Sequence, residues 1–149
     1  MATDNKDRRR HKRNDIKPTF IISNTPQTVS KKISEAQQLQ LDIIEHTNFN
    51  FFNGRKIVEL LKANHQMWRS VLMPLDLISL RDMANGHWHA DTIYIYPENG
   101  YQFQLEELVR EQFEADEIQW FGGSEAEDIL ATTEIENESH HVILSIWWD

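Results

Sequence analysis

The residues with the clearest chemical potential are two histidines and an aspartate in the segment GHWHAD near the middle of the chain. Because side chains alternate along an extended backbone, His87, His89 and Asp91 would point to one side. Two imidazoles and a carboxylate form part of a ligand shell for zinc or iron. His140 and His141 precede the last predicted strand and would add a ligand if the two strands are neighbours. The sequence therefore offers a metal site, and a small metal-dependent hydrolase would be the corresponding function.

The segment His87–Asp91 resembles the first part of the His-x-His-x-Asp-His motif of metallo-β-lactamase-fold hydrolases. The resemblance covers five residues, and Thr92 stands where that family has its third histidine. A chain of 149 residues is also short for that fold. The resemblance therefore does not assign the chain to that family, and the predicted metal site depends on the side chains themselves.

A second candidate feature is the acidic stretch 98–138, which carries 13 Asp/Glu and a single basic residue, Arg110. Three interpretations are open: a solvated surface, a calcium site, and a docking surface for a basic partner protein. The ligand spacing of an EF-hand is absent. Aromatic side chains nearby would anchor a partner if they are exposed. The candidate partner-binding residues are Tyr101, Trp120, Glu125, Glu127 and Asp128, with Phe103 and Phe121 as further aromatic anchors.

The basic side chains are concentrated at the start of the chain. Residues 1–18 hold seven Lys/Arg against three Asp, a balance of +4, and the rest holds eight Lys/Arg against 21 Asp/Glu, a balance of −13. A charged segment without apolar periodicity is predicted to be disordered. It suits weak contact with nucleic-acid phosphates, although the acidic body lacks the basic groove of a nucleic-acid-binding domain. The candidate contacts are Arg8, Arg9, Arg10, Lys12 and Arg13.

Several classes of function find no support in the composition and motifs. The chain has no cysteine, which excludes disulfides, thiolate metal ligands and a cysteine nucleophile. No apolar run approaches the roughly 18 residues that cross a bilayer, and no apolar segment follows the basic run as in a secretory signal. We therefore expect a cytoplasmic protein with no membrane partner. The serines lack a Gly-x-Ser-x-Gly elbow, and the Gly122-Gly123 turn lacks the lysine of a phosphate-binding loop.

The hydrophobic spacing predicts helices in the first half of the chain and alternating strands and helices in the second. Five helices are predicted. The first ends near His46, the second extends over Ile57–Leu72 and is broken by Pro74, and the third extends over Leu75–Met83. The fourth is marked by Leu105–Phe113, and the fifth begins near Ser124 and ends at Leu130. The predicted strands are Thr92–Tyr96, Glu117–Phe121 and Val142–Trp148.

These elements predict an α/β or α+β fold. A helical N-terminal half would pack on a small three- or four-stranded mixed sheet, formed by a β-α-β-α-β C-terminal half. The chain is the usual size of one domain, so we expect a basic arm (1–18) followed by one globular domain (19–149).

The separated charges and the lack of a catalytic constellation favour a small, acidic, non-enzymatic interaction or regulatory protein. Inhibitor, immunity and adaptor roles all fit this description. Its partner would be another protein with a basic surface. The metal-dependent hydrolase and a calcium-binding protein remain as alternatives. The sequence leaves the oligomeric state open.

Overall fold

A computed structural model describes residues 31–74, 76, 78–85, 90–132 and 140–149. These residues belong to one compact unit, Lys31–Asp149. The basic arm and its candidate contacts Arg8 to Arg13 lie outside the described residues. The segment that contains His87 and His89 lies outside them as well.

The described residues form five α-helices, a two-stranded hairpin and a four-stranded sheet, which confirms the expected class. The helices are α1 (Glu35–Glu45), α2 (Gly54–Ala63), α3 (Leu80–Ala84), α4 (Gln102–Gln112) and α5 (Gly123–Leu130). The strands are β1 (Asn48–Phe49), β2 (Phe52–Asn53), β3 (Trp68–Leu72), β4 (Thr92–Pro97), β5 (Glu117–Phe121) and β6 (Ile143–Trp147).

The main sheet has the strand order β3-β4-β6-β5, and every neighbouring pair is antiparallel. The predicted β-α-β-α-β order along the chain is present, but the sheet is antiparallel rather than mixed. β4 and β5 do run parallel, as expected of strands joined by a helix, because each is antiparallel to β6. The last strand enters between them, so the two parallel strands never pair.

The predicted helix over Ile57–Leu72 is wrong in its second half. α2 ends at Ala63, and the side chain of Asn64 donates to the carbonyl of Leu60 at 2.9 Å. The chain then passes through a short 3-10 turn into β3. A register shift in the pairing of β3 with β4 follows Trp68 and places Trp68 and Val71 together in the core. A β-bulge thereby reproduces the three-residue spacing of a helix.

The sheet divides the core into two clusters. In β4, Ile93 and Ile95 face the larger cluster, which α1, α2 and α4 cover. Tyr94 and Tyr96 face the opposite side, where Ala126 of α5 packs. Trp148, the residue after β6, belongs to the larger cluster and is fully buried.

The hairpin between α1 and α2 inserts one aromatic side chain into the core. Phe52 is buried and meets Trp148 edge to face, with ring centroids 4.6 Å apart. Phe51 at the tip is 71% exposed. Of the three phenylalanines in this connection, Phe52 therefore belongs to the core and the half-buried Phe49 packs against it.

Candidate functional site

The exposed side of α4 is an acidic surface. Leu105, Val109 and Phe113 recur at four-residue steps and bury one side of the helix against the sheet. The opposite side is left to solvent, and it presents Phe103 with 75% of its surface exposed. A shallow depression of about 290 Å³ runs along this side. We call its lining the α4 face, comprising Phe103, Glu106, Glu107, Arg110 and Glu111.

Glu106 links the α4 face to strand β5. Its Oε2 accepts the indole N–H of Trp120 at 2.6 Å, and its Oε1 accepts from the Arg110 guanidinium at 2.7 Å. These two hydrogen bonds, the one from Trp120 first, lower the pKa of Glu106. The imidazole of His141 meets the Trp120 ring edge to face, with ring centroids 5.4 Å apart. Glu106 is therefore an ionised anchor that fixes both the indole and the guanidinium.

The pairing of Arg110 with Glu106 leaves a net negative charge on the α4 face. Arg110 is the sole base in the stretch 98–138, and its guanidinium is committed to Glu106. Glu107 and Glu111 are exposed, and no ion pair with a described residue engages them. An exposed phenyl ring beside uncompensated carboxylates suits a partner that brings both apolar and cationic groups.

The five predicted partner-binding residues do not form one patch. Tyr101 precedes the first turn of α4, and Trp120 reaches α4 through Glu106. The acids Glu125, Glu127 and Asp128 belong to α5, which packs on the opposite side of the sheet from α4. The structure thus joins Trp120 to the α4 face through Glu106 and separates it from the α5 acids.

The described members of the proposed metal site are likewise separated. The carbonyl of Asp91 accepts the N–H of Trp148 at 2.9 Å, and its carboxylate accepts the hydroxyl of Thr92 at 2.7 Å. His141 lies seven residues before Trp148, at the other end of β6, roughly 20 Å away at 3.3 Å per residue. β4 and β6 are neighbours, as the metal hypothesis required, but their antiparallel register places His140 and His141 far from Asp91.

No group of three or more His, Asp or Glu side chains among the described residues is arranged to hold a metal ion. The described part of the acidic stretch ends at residue 132, and His87 and His89 lie outside the described residues. No helix within the described ranges is long and apolar enough to span a membrane.

A second charged cluster joins the start of the described chain to the sheet. Glu98 accepts from Lys31 Nζ at 2.7 Å and from Arg69 Nε at 3.1 Å. Arg69 also donates to the hydroxyl of Tyr96 at 3.0 Å. The hydrogen bond from Lys31, together with the one from Arg69, lowers the pKa of Glu98. These side chains mainly bond to one another, so the cluster holds the fold together.

The two outer edges of the sheet differ, a feature that the sequence did not predict. At β3, the Gln37 side chain forms two hydrogen bonds to the backbone of Val71, accepting from its N–H and donating to its carbonyl, both at 2.9 Å. Gln40 Oε1 accepts the N–H of Met73 at 2.6 Å. The signal in the sequence is a pair of glutamines three residues apart on a helix. At β5, no comparable side chain from the described residues bonds to the outer edge.

Comparison with protein-family models, with characterised proteins and with solved structures finds no match for this chain.

Proposed function

We propose that this protein is a non-enzymatic interaction module that docks onto a basic surface of another protein through the α4 face. The observation that carries the proposal is the 75% exposure of Phe103 beside carboxylates that no described base neutralises. An inhibitor, immunity or adaptor role is compatible with such docking. Within the α4 face, the ion pair between Glu106 and Arg110 holds both side chains in place, so the shape of the face is fixed before a partner binds.

Each half of the α4 face has a separate physical role. Carboxylates at Glu107 and Glu111 attract a cationic surface over a Debye length, about 8 Å at physiological salt, and raise the rate of association. Phe103 supplies apolar area, and an aromatic anchor typically provides about 2 kcal/mol or more when a partner buries it. We therefore expect added salt to slow association with the partner. We expect the loss of Phe103 to shorten the lifetime of the complex.

Site-specific photocrosslinking in the native host tests the proposal. p-Benzoylphenylalanine replaces Phe103 in one variant and Phe51 in a matched control, because both phenyl rings are more than two-thirds exposed. We expect a discrete crosslinked protein from position 103 and none of the same mass from position 51. Equal crosslinking at both positions, or none at position 103, would contradict the proposal.

Charge reversal supplies the second arm of the test. The pair Glu107→Lys and Glu111→Lys is introduced into the crosslinking variant, and Glu125→Lys with Asp128→Lys on α5 serves as the control pair. All four side chains are exposed, so both variants are expected to fold. The α4 pair should reduce the crosslinked product at least tenfold and the α5 pair less than twofold. Equal losses would show that total charge, rather than the α4 face, attracts the partner.

A further inference from the structure

The direction of the backbone groups in β5 follows from the pairing of the whole sheet. The N–H of Trp148 donates to the carbonyl of Asp91, so the even-numbered residues of β6 direct their backbone groups to β4. Because that direction alternates along a strand, the odd-numbered residues of β6 face β5. Ile118 and Trp120 then direct their N–H and carbonyl groups away from β6. These four groups form the β5 edge.

The same alternation agrees with the hydrogen bonds observed at β3, on the other edge of the sheet. It directs Ser70 and Leu72 of β3 toward β4 and Val71 away from it, and Val71 is the residue that Gln37 bonds through both its N–H and its carbonyl. One edge of the sheet is therefore occupied by side chains of α1. The groups of the β5 edge have no hydrogen-bond partner among the described residues. Unpaired edge groups of this kind are a template for another strand.

We infer that the β5 edge binds an extended, basic segment of the partner protein by strand addition. The inference rests on the proposed function for the partner's positive charge and adds the mode of binding. The exposed carboxylates of Asp116 and Glu117 lie at the start of the strand. An acidic edge attracts a cationic strand and repels a second copy of itself, since like charges on paired strands are destabilising.

The side chains of β5 define the pattern of the incoming strand. Ile118 and Trp120 are half-buried and pack against the larger core, whereas Glu117 and Gln119 are exposed on the other face. A strand paired with β5 therefore places alternate residues beside an apolar surface and beside a carboxylate. A segment that alternates Val or Ile with Lys or Arg satisfies both faces at once.

The test uses the full-length protein and a synthetic peptide of alternating Lys and Val, blocked at both ends. Two companion peptides carry N-methyl groups on all Val residues or on all Lys residues, which leaves every charge and side chain in place. Only one set of N–H groups in a paired strand faces β5. We expect one companion to bind at least tenfold more weakly than the parent peptide and the other less than threefold more weakly.

Amide hydrogen exchange of the protein, followed by NMR, locates the contact. In the free protein, the amides of Ile118 and Trp120 should exchange faster than those of Val71 and Met73, which glutamine side chains protect. The parent peptide should slow exchange at Ile118 and Trp120 at least tenfold and leave Val71 unchanged.

The outcomes separate this inference from the proposed function. Equal binding of all three peptides would overturn strand addition and leave recognition of a basic surface through the α4 face intact. Absence of binding by the parent peptide, or a homodimer that protects Ile118 and Trp120, would also overturn the inference. The crosslinking from position 103 would still decide the proposed function in each case.

Discussion

Gly54 lies where the first turn of α2 meets the end of α1, and the packing there leaves no room for a side chain. A Cβ at this position would come within 1.8 Å of the carbonyl oxygen of Ile44 and 2.5 Å of that of Thr47. Both obstacles are backbone atoms, so no rotamer change relieves the clash. The φ of Gly54 is not in the left-handed region, so backbone conformation does not require a glycine here. The close approach of the two carbonyl oxygens does.

We predict that Gly54→Ala lowers the free energy of unfolding by about 3 kcal/mol or more, the upper range for overpacking. The control is Gly100→Ala, where φ is +84° and nothing lies within 4 Å of the added Cβ. That change should cost only about 1 kcal/mol, from backbone strain alone. Urea denaturation measures both variants. A loss at Gly54 no greater than that at Gly100 would refute the packing argument.

The sequence predicted residue chemistry more reliably than residue partnerships. The acidic composition of the stretch 98–138 can be counted directly in the sequence, and its one base is paired with Glu106. That pair follows from a four-residue helical step, which the sequence displays. The contact of Glu106 with Trp120 joins a helix to a strand 14 residues later, and nothing in the local pattern specifies it. Contacts of this kind depend on how the elements pack.

At the scale of elements, strands β4, β5 and β6 were predicted closely, because β-branched and aromatic runs bounded by turn residues have few alternatives. β3 was predicted as a helix, because its bulge gives Trp68 and Val71 a helical spacing. Strand order was also beyond local reasoning. Whether β6 lies at the edge or between β4 and β5 depends on long-range pairing, and the alternation of strands and helices suits either arrangement.

The attachment of α1 to the edge of β3 yields a prediction about that element pair. Gln37→Met keeps the side-chain volume but removes the partners of the Val71 N–H and carbonyl. We expect a loss of about 1–3 kcal/mol in the free energy of unfolding, the cost of leaving part-buried backbone groups unsatisfied. The Val71 amide should exchange faster, and the newly opened edge should promote self-association.

The matched control for this prediction is Gln38→Met on the neighbouring position of α1. Among the described residues, the Gln38 side chain donates to Asp42 on its own helix, at 2.7 Å, and such a pair contributes about 0.2–0.5 kcal/mol. Thermal denaturation and light scattering compare the two variants. If Gln37→Met and Gln38→Met behave alike, the side chain of Gln37 does not protect the edge.

At the scale of the whole molecule, stability should depend on pH through two carboxylates that the fold holds ionised. Hydrogen bonds from Lys31 to Glu98 and from Trp120 to Glu106 lower the pKa of each carboxyl below its ordinary value of 4.5. A lowered pKa means that the unfolded chain binds protons more readily than the folded one. The stabilisation is therefore complete above pH 4.5 and is lost as the pH falls through the folded pKa values.

His65 acts in the same direction at a higher pH. Burial, with a smaller effect of Lys31, lowers its pKa below the ordinary 6.5, so protonation below that value also favours unfolding. Tyr94 has the opposite sign, because burial and then Asp76 and Asp91 raise its pKa above 10, and its contribution is lost only as the pH rises beyond 10. Stability set by these groups should consequently form a plateau between about pH 6.5 and 10.

We predict that the double variant Glu98→Gln and Glu106→Gln is less stable than the natural protein at pH 7 but loses less stability between pH 5 and pH 3.5. The amides cannot bind the protons that drive acid unfolding, so the slope below pH 4.5 flattens. Glu111→Gln, an exposed residue outside both clusters, is the control and should retain the natural slope. Urea denaturation at a series of pH values measures the stability of all three proteins.

A general release of repulsion among the acidic side chains would instead stabilise every variant as the pH falls toward 5. An unchanged slope in the double variant would show that this collective charge, rather than the two clusters, governs the response to acid.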